Sequence, residues 1–210
     1  MVEKAVGIVG GGIMGCGIAE VAARSGCDVI LREVNPELAK AAEHRLEGSL
    51  DKAVSKGKLT TAERDVVVEA VVEDLAVKTE IFELLDRIVR PEAVLASNTS
   101  SIPIMQLAAV TEHPARVVGL HFFTPAPVMP LVEIIPCELT SNETLSRAKE
   151  FALDQLGKTT ITAKDRAGFV VNALLVPYLL SAIRMVDSGL ASAEDIDTAM
   201  VGGSKFPMGP

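Results

Sequence analysis

The chain has 210 residues, enough for one large domain or for one domain joined to a smaller second one. With 49% apolar and 23% charged residues it can bury a substantial core, which excludes a disordered chain. A formal charge of −8 argues against a general nucleic-acid surface, which needs clustered Lys and Arg, but leaves room for small anions held at a helix N-terminus.

Residues 5–9 form a short β-prone run, and Gly10-Gly11-Gly12-Ile13-Met14-Gly15 follows it directly. The basic residue before this apolar stretch gives it the look of a signal peptide, but its glycine density favours strand, turn and helix. A helix is predicted over 13–24 with Gly26 near its end, then a second strand over 28–32 that stops at Glu33. Asn35-Pro36-Glu37 is a helix start, and Ala42, Leu46, Leu50 and Ala53 keep helical spacing behind it. Residues 60–63 are expected to cap a further turn. A β-branched run over 66–73 predicts a strand covered on both faces. A charged helix over 77–89 and strands over 93–97, 117–120 and 131–135 complete the alternation, which marks a parallel α/β sheet.

From Gly168 onward the pattern is helical, so the boundary is expected near residues 165–168. Residues 167–183 are apolar, but Asn172 and Pro177 interrupt them and Arg166 and Arg184 bracket them, which favours a buried helix over a membrane span. Cys16, Cys27 and Cys137 lack paired metal spacing, so no metal is expected, and an odd number of thiols fits a reducing, cytoplasmic setting.

The glycine motif alone is weak evidence of function. Here it follows a strand, opens a helix, and has an acid, Glu33, 21 positions after Gly12. Gly10 suits the tight turn, Gly12 the approach of a pyrophosphate, and Gly15 close helix–strand packing. Glu33 then suits the adenosine ribose hydroxyls and disfavours a 2′-phosphate, which points to NAD. Two alternatives stay open: Arg32 suits NADP, and Glu33 suits a solvated strand end.

Ligands of open α/β sheets sit beyond the carboxyl ends of the strands. Those ends carry Gly10, Glu33, Glu73, the group Ser97-Asn98-Thr99-Ser100, and His121. His121 lies in an apolar stretch, where it is either a core histidine satisfied by a carbonyl or a general base. Glu133, inside Leu131-Val132-Glu133-Ile134-Ile135, favours the base, because a carboxylate in so apolar a strand needs a partner.

Together, GGGIMGCGIA from Gly10, ASNTSS from Ala96, HFFTP from His121 with Glu133 beyond it, and GFVVNALLVPY from Gly168 resemble the 3-hydroxyacyl-CoA dehydrogenase family. The resemblance implies a Rossmann-type NAD-binding domain over 1–166 and part of a helical substrate and dimerisation domain over 167–210. It implies a cytoplasmic oxidoreductase of fatty acid β-oxidation or butanoate metabolism, acting on short-chain 3-hydroxyacyl-CoA. It further implies a homodimer where the helical domain is complete, with neither nucleic acid nor membrane as a partner. By this resemblance residues Gly10, Gly11, Gly12, Ile13, Met14 and Gly15 hold the pyrophosphate and Glu33 the ribose, while Glu73 and Lys78 touch the cofactor. Ser100 meets nicotinamide and substrate hydroxyl, His121 is the base, Glu133 orients it, and Asn172 binds the substrate oxygen. Ser49 and Lys56 match positions for the CoA 3′-phosphate, with Lys52 and Lys58 as equally basic neighbours.

The chain departs from that family in three places. Thr124 stands where the family usually has a cofactor-contacting Asn. A segment of about 20 residues, the size of a strand and short helix, is missing before Val66, which should leave strand two at the sheet edge. The chain also stops where the family continues its helical domain, which should leave the helix over 169–186 short of cover. A catalytically weak NAD- or acyl-CoA-binding relative, or an enzyme of free hydroxyacids, are the competing readings.

Overall fold

The computed structural model describes residues 5–50 and 64–210. They form two compact units, Met1–Ala167 and Gly168–Pro210.

The first unit is built on seven strands: β1 (Ala5–Val9), β2 (Asp28–Arg32), β3 (Arg64–Glu69), β4 (Val94–Ser97), β5 (Val117–Phe122), β6 (Leu131–Ile135) and β7 (Thr159–Thr162). They lie in one sheet in the order β2-β1-β3-β4-β5-β6-β7, a Rossmann-type arrangement in which β2 is one edge. Helices α1 (Ile13–Arg24), α2 (Pro36–Leu50), α3 (Leu75–Ile88), α4 (Ile104–Ala108) and α5 (Asn142–Glu150) connect the strands. Alternate residues of the central strands, among them Ile8, Val68, Ala96, Leu120 and Ile134, share a core with Ile18, Ala19 and Ala22 of α1. The β-branched strands and the small helix residues let sheet and helix approach closely.

Strands β1 to β5 are mutually parallel, as the alternation predicts. Strand β6 is not: it runs antiparallel to β5. Only residues 123–130 join the two, and a parallel crossover needs about a dozen residues or more. Strand β7, parallel to β6, has no counterpart in the sequence-based prediction, because Thr159-Thr160-Ile161-Thr162 is a half-exposed edge without apolar alternation. Nor were α4 and α5 predicted. The strand expected over 66–73 ends at Glu69, where the carboxylate turns back to accept the Val71 N–H at 2.7 Å and takes the chain off the ladder. Strand β5 is longer than expected and carries His121 inside it. The turn expected at 60–63, together with Ala53, lies outside the described residues.

The second unit contains α6 (Val171–Asp187) and α7 (Ala193–Ser204). Its first helix starts two residues later than expected, after Gly168 and Phe169 at φ of 77° and 47°. Ser192 caps α7 by accepting the Asp195 N–H at 3.1 Å, and the Tyr178 and Phe206 rings meet at 5.7 Å. No residue of α6 is buried, and Leu174, Leu180 and Ile183 are exposed. No helix among the described residues is long and apolar enough to cross a membrane.

Candidate active site

Strand β1 delivers the chain into the glycine turn. Gly10 has φ of 99°, and a Cβ there would come within 2.8 Å of the Ala70 carbonyl oxygen, so only glycine fits. A Cβ on Gly15 would strike the Gly10 carbonyl, which is why α1 can pack against the turn. Gly12 differs from both: a Cβ there meets nothing within 4 Å. Gly12 is also the N-cap of α1, and no side chain caps that helix. The unpaired N–H groups of the helix start therefore open onto free space, which fits an anionic pyrophosphate.

The turn is clamped from β2 and α2. Glu33, just past β2, accepts the Gly11 N–H at 2.5 Å and the Val34 N–H at 3.2 Å. The Arg45 guanidinium donates to the Gly11 carbonyl at 2.7 Å.

Across the rim, β5 and β6 place His121 and Glu133 opposite each other in register. His121 Nδ1 lies 2.7 Å from Glu133 Oε2, with the carboxylate wholly buried and the imidazole 6% exposed. The Phe123 ring packs against the imidazole with centroids 4.6 Å apart. An acid buried this completely, in hydrogen-bond contact with Nδ1, fixes the ring's orientation and leaves Nε2 to face the cleft side.

Between these two groups lies a polar network at the ends of β3 and β4. Glu69 Oε1 accepts from Lys78 Nζ at 2.6 Å, and Oε2 accepts from Ser97 Oγ at 2.6 Å. Lys78 Nζ also stands 3.3 Å from Glu73 Oε2. Glu73 Oε1 accepts from the Thr99 hydroxyl, the Ser101 hydroxyl at 2.8 Å, and the Ser100 N–H at 3.1 Å. Burial alone would raise the Glu73 pKa; the Thr99 and Ser101 hydroxyls, the Lys78 charge and the Ser100 N–H overcome it and hold the carboxyl down to about 2.

A cleft of about 550 Å³ is lined by Gly12, Ile13, Met14, Glu73, Lys78, Asn98, Ser100, His121 and Thr124 from the sequence prediction, together with Phe122 and Phe123. Gly10, Gly11, Gly15 and Glu33 form the turn and its clamp, and Glu133 is joined to His121. Glu73 is not at a strand end, as predicted, but in the loop before α3. Thr124 donates its hydroxyl to Met14 Sδ at 2.8 Å. Asn172 is half-buried in the first turn of α6, in the second unit. The side chain of Ser49 and all of Lys56 lie outside the described residues. Sequence reasoning missed Glu69, although a carboxylate closing the run Val66-Val67-Val68 carries the same signal that singled out Glu133.

A glycine-turned β-α-β unit and a buried acid–imidazole pair whose imidazole lines the same cleft define a dinucleotide-dependent oxidoreductase. Comparison with known proteins gives the family. The family model described as "3-hydroxyacyl-CoA dehydrogenase, NAD binding domain" matches residues 5–65 and 60–166. That of the "3-hydroxyacyl-CoA dehydrogenase, C-terminal domain" matches 168–210. A 3-hydroxybutyryl-CoA dehydrogenase of Mycobacterium tuberculosis is 54% identical over 98% of this chain and 79% of its own length. The crystal structure of M. tuberculosis FadB2 superposes with a TM-score of 0.92 at 50% identity, over 100% of this chain and 80% of that one. The crystal structure of (S)-3-hydroxybutyryl-CoA dehydrogenase PaaH1 from Ralstonia eutropha gives 0.91 at 37% identity, over 99% and 80%. The chain belongs to the 3-hydroxyacyl-CoA dehydrogenase family; it is an NAD-dependent oxidoreductase. These similarities support an active dehydrogenase and not the catalytically weak relative.

Proposed function

We propose that the protein interconverts the 3-hydroxyl and 3-keto groups of short-chain acyl-CoA thioesters, with 3-hydroxybutyryl-CoA as substrate and His121 as the base. The observation that carries this is the 2.7 Å contact of His121 Nδ1 with Glu133 at a cleft that Gly12 also lines. NAD, when bound, supplies the acceptor for the hydride that leaves C3. Residues Gly10 to Gly15, Glu33, Glu73, Lys78 and Thr124 hold the cofactor, and Ser49 and Lys56 hold the CoA 3′-phosphate.

With Nδ1 engaged by Glu133, the proton of the 3-hydroxyl passes to His121 Nε2. The imidazolium so formed is offset by the wholly buried Glu133 carboxylate. Ser100 donates to the substrate oxygen and keeps it aimed at the base. In the reductive direction His121 returns the proton. The exposed apolar residues of α6 support a homodimer through the helical unit. Three buried free cysteines are in keeping with a cytoplasmic site of action in β-oxidation or butanoate metabolism.

The test is NADH oxidation with acetoacetyl-CoA, longer 3-ketoacyl-CoA esters and free acetoacetate, with molecular size measured alongside. Turnover concentrated on the short CoA esters is expected. Free acetoacetate reduced as efficiently as its CoA ester would overturn the thioester assignment.

A further inference from the structure

Lys78 is 1% exposed and Glu69 is wholly buried, so a full ion pair sits inside the sheet beneath the cleft. Replacing a buried pair by well-packed apolar side chains is often neutral or stabilising, so stability alone is a weak reason for such a pair. Its connections suggest another. Glu69 uses both oxygens: Oε1 takes Lys78 Nζ and the Val71 N–H at 2.7 Å, and Oε2 takes Ser97 Oγ. The Ser97 hydroxyl in turn accepts the Thr99 N–H at 3.2 Å. On the other side Lys78 reaches Glu73, which gathers Thr99, Ser100 and Ser101. One carboxylate thus ties the loop after β3, the loop after β4 and the first turn of α3, the three segments that bring Glu73, Lys78 and Ser100 to the cleft.

We infer that Glu69 is a positioning residue of the cofactor site, holding Lys78 and the Ser97–Ser101 loop in the arrangement that accepts NAD. This rests on the proposal that Glu73 and Lys78 hold the cofactor. A carboxylate suits the task where an amide does not: it accepts three bonds, two of them on one oxygen, and counters the ammonium.

The experiment compares Glu69→Gln, Lys78→Met and the double variant Glu69→Met/Lys78→Met with the parent. It reads the dissociation constants for NAD and NADH by titration, the thermal midpoint without cofactor, and KM and kcat for each substrate. Glu69→Gln keeps the side chain's volume and leaves Lys78 paired with Glu73 at 3.3 Å, so it should fold. The expected result is NAD binding weakened about tenfold with a parallel rise in KM for NAD, while KM for the acyl-CoA stays within about twofold and kcat within about threefold, since a charge-assisted contact is worth roughly that much. The double variant should recover the thermal midpoint but not the affinity. A merely structural Glu69 would lower the midpoint and the active fraction and leave the dissociation constant of the folded protein unchanged; that outcome overturns the inference. If Lys78→Met also leaves NAD affinity untouched, the assignment of Lys78 itself has failed; if Lys78→Met weakens it and Glu69→Gln does not, only the role of Glu69 has. Should Glu69→Gln not fold, the double variant is compared with Lys78→Met: a further loss of NAD affinity in the double variant sustains the inference, and equal affinity overturns it.

Discussion

Two carboxylates are completely buried in one sheet, Glu69 at the end of β3 and Glu133 within β6, and each faces a base. The partners differ in kind. A lysine ammonium ordinarily keeps its proton, whereas an imidazole ordinarily exchanges one near neutrality. Their routes differ too: Lys78 comes from the first turn of α3, nine positions along the chain from Glu69, while His121 sits on the neighbouring antiparallel strand in direct register with Glu133. The same device, an acid sunk in apolar strands, serves in one place to anchor a loop and in the other to support a group that must change charge. Four segments distant in sequence meet at one cleft by this means.

The largest expected effect breaks the exchangeable pair. His121→Gln removes the base while retaining a polar side chain, and turnover should fall by about 10²- to 10⁴-fold with NAD affinity preserved. Steady-state rates and cofactor titration check both halves, and a rate within a few fold of the parent removes His121 from the chemistry. Gly12→Val should do the reverse, abolishing NAD binding because the new side chain fills the open space above the helix start.

The anchoring pair should break differently. Lys78→Met leaves Glu69 buried without its ammonium, and breaking such a pair costs about 3–5 kcal/mol of stability. Denaturant unfolding measures it; a loss under about 1 kcal/mol would mean that Glu69 finds water or another donor. Glu133→Gln is milder, because an amide still reaches the imidazole and only the charge assistance is lost. Turnover should drop roughly 10- to 100-fold, in step with a charged hydrogen bond worth about 1.5–3 kcal/mol. An effect equal to that of His121→Gln would show that the two act as one unit.

Much of this was legible in the chain. The glycine turn declares itself because each glycine answers a different local constraint, and Glu133 because an acid amid Leu, Val and Ile demands a partner. Glu69 carries that second signal equally, but the run from Val66 to Glu73 looks like one unbroken strand, so attention falls on Glu73 at its end. Only the side chain's turn back to the Val71 N–H divides them. The antiparallel course of β6 was open to inference from the eight residues between it and β5, too few to cross the sheet. The polar edge strand β7 gave no such sign, since an exposed threonine strand has no apolar face to reveal its period.

Glu73 stands between the two cases and supplies the smallest effect. It touches the anchored ammonium, yet its side chain is 39% exposed and it lines the cleft. Its carboxyl titrates at about 2 rather than 4.5, so the folded state binds this proton more weakly than the unfolded chain. The stabilisation is therefore complete above the ordinary value and lost as pH falls from 4.5 through about 2. Glu73→Gln should flatten that part of the thermal-midpoint curve against pH and lower the midpoint slightly at neutrality, solvent screening keeping the shift small. Acid sensitivity that survives in the variant belongs to other groups of the chain. If parent and variant trace parallel curves between pH 4.5 and 2, the hydroxyls of Thr99 and Ser101 are not holding the charge they surround.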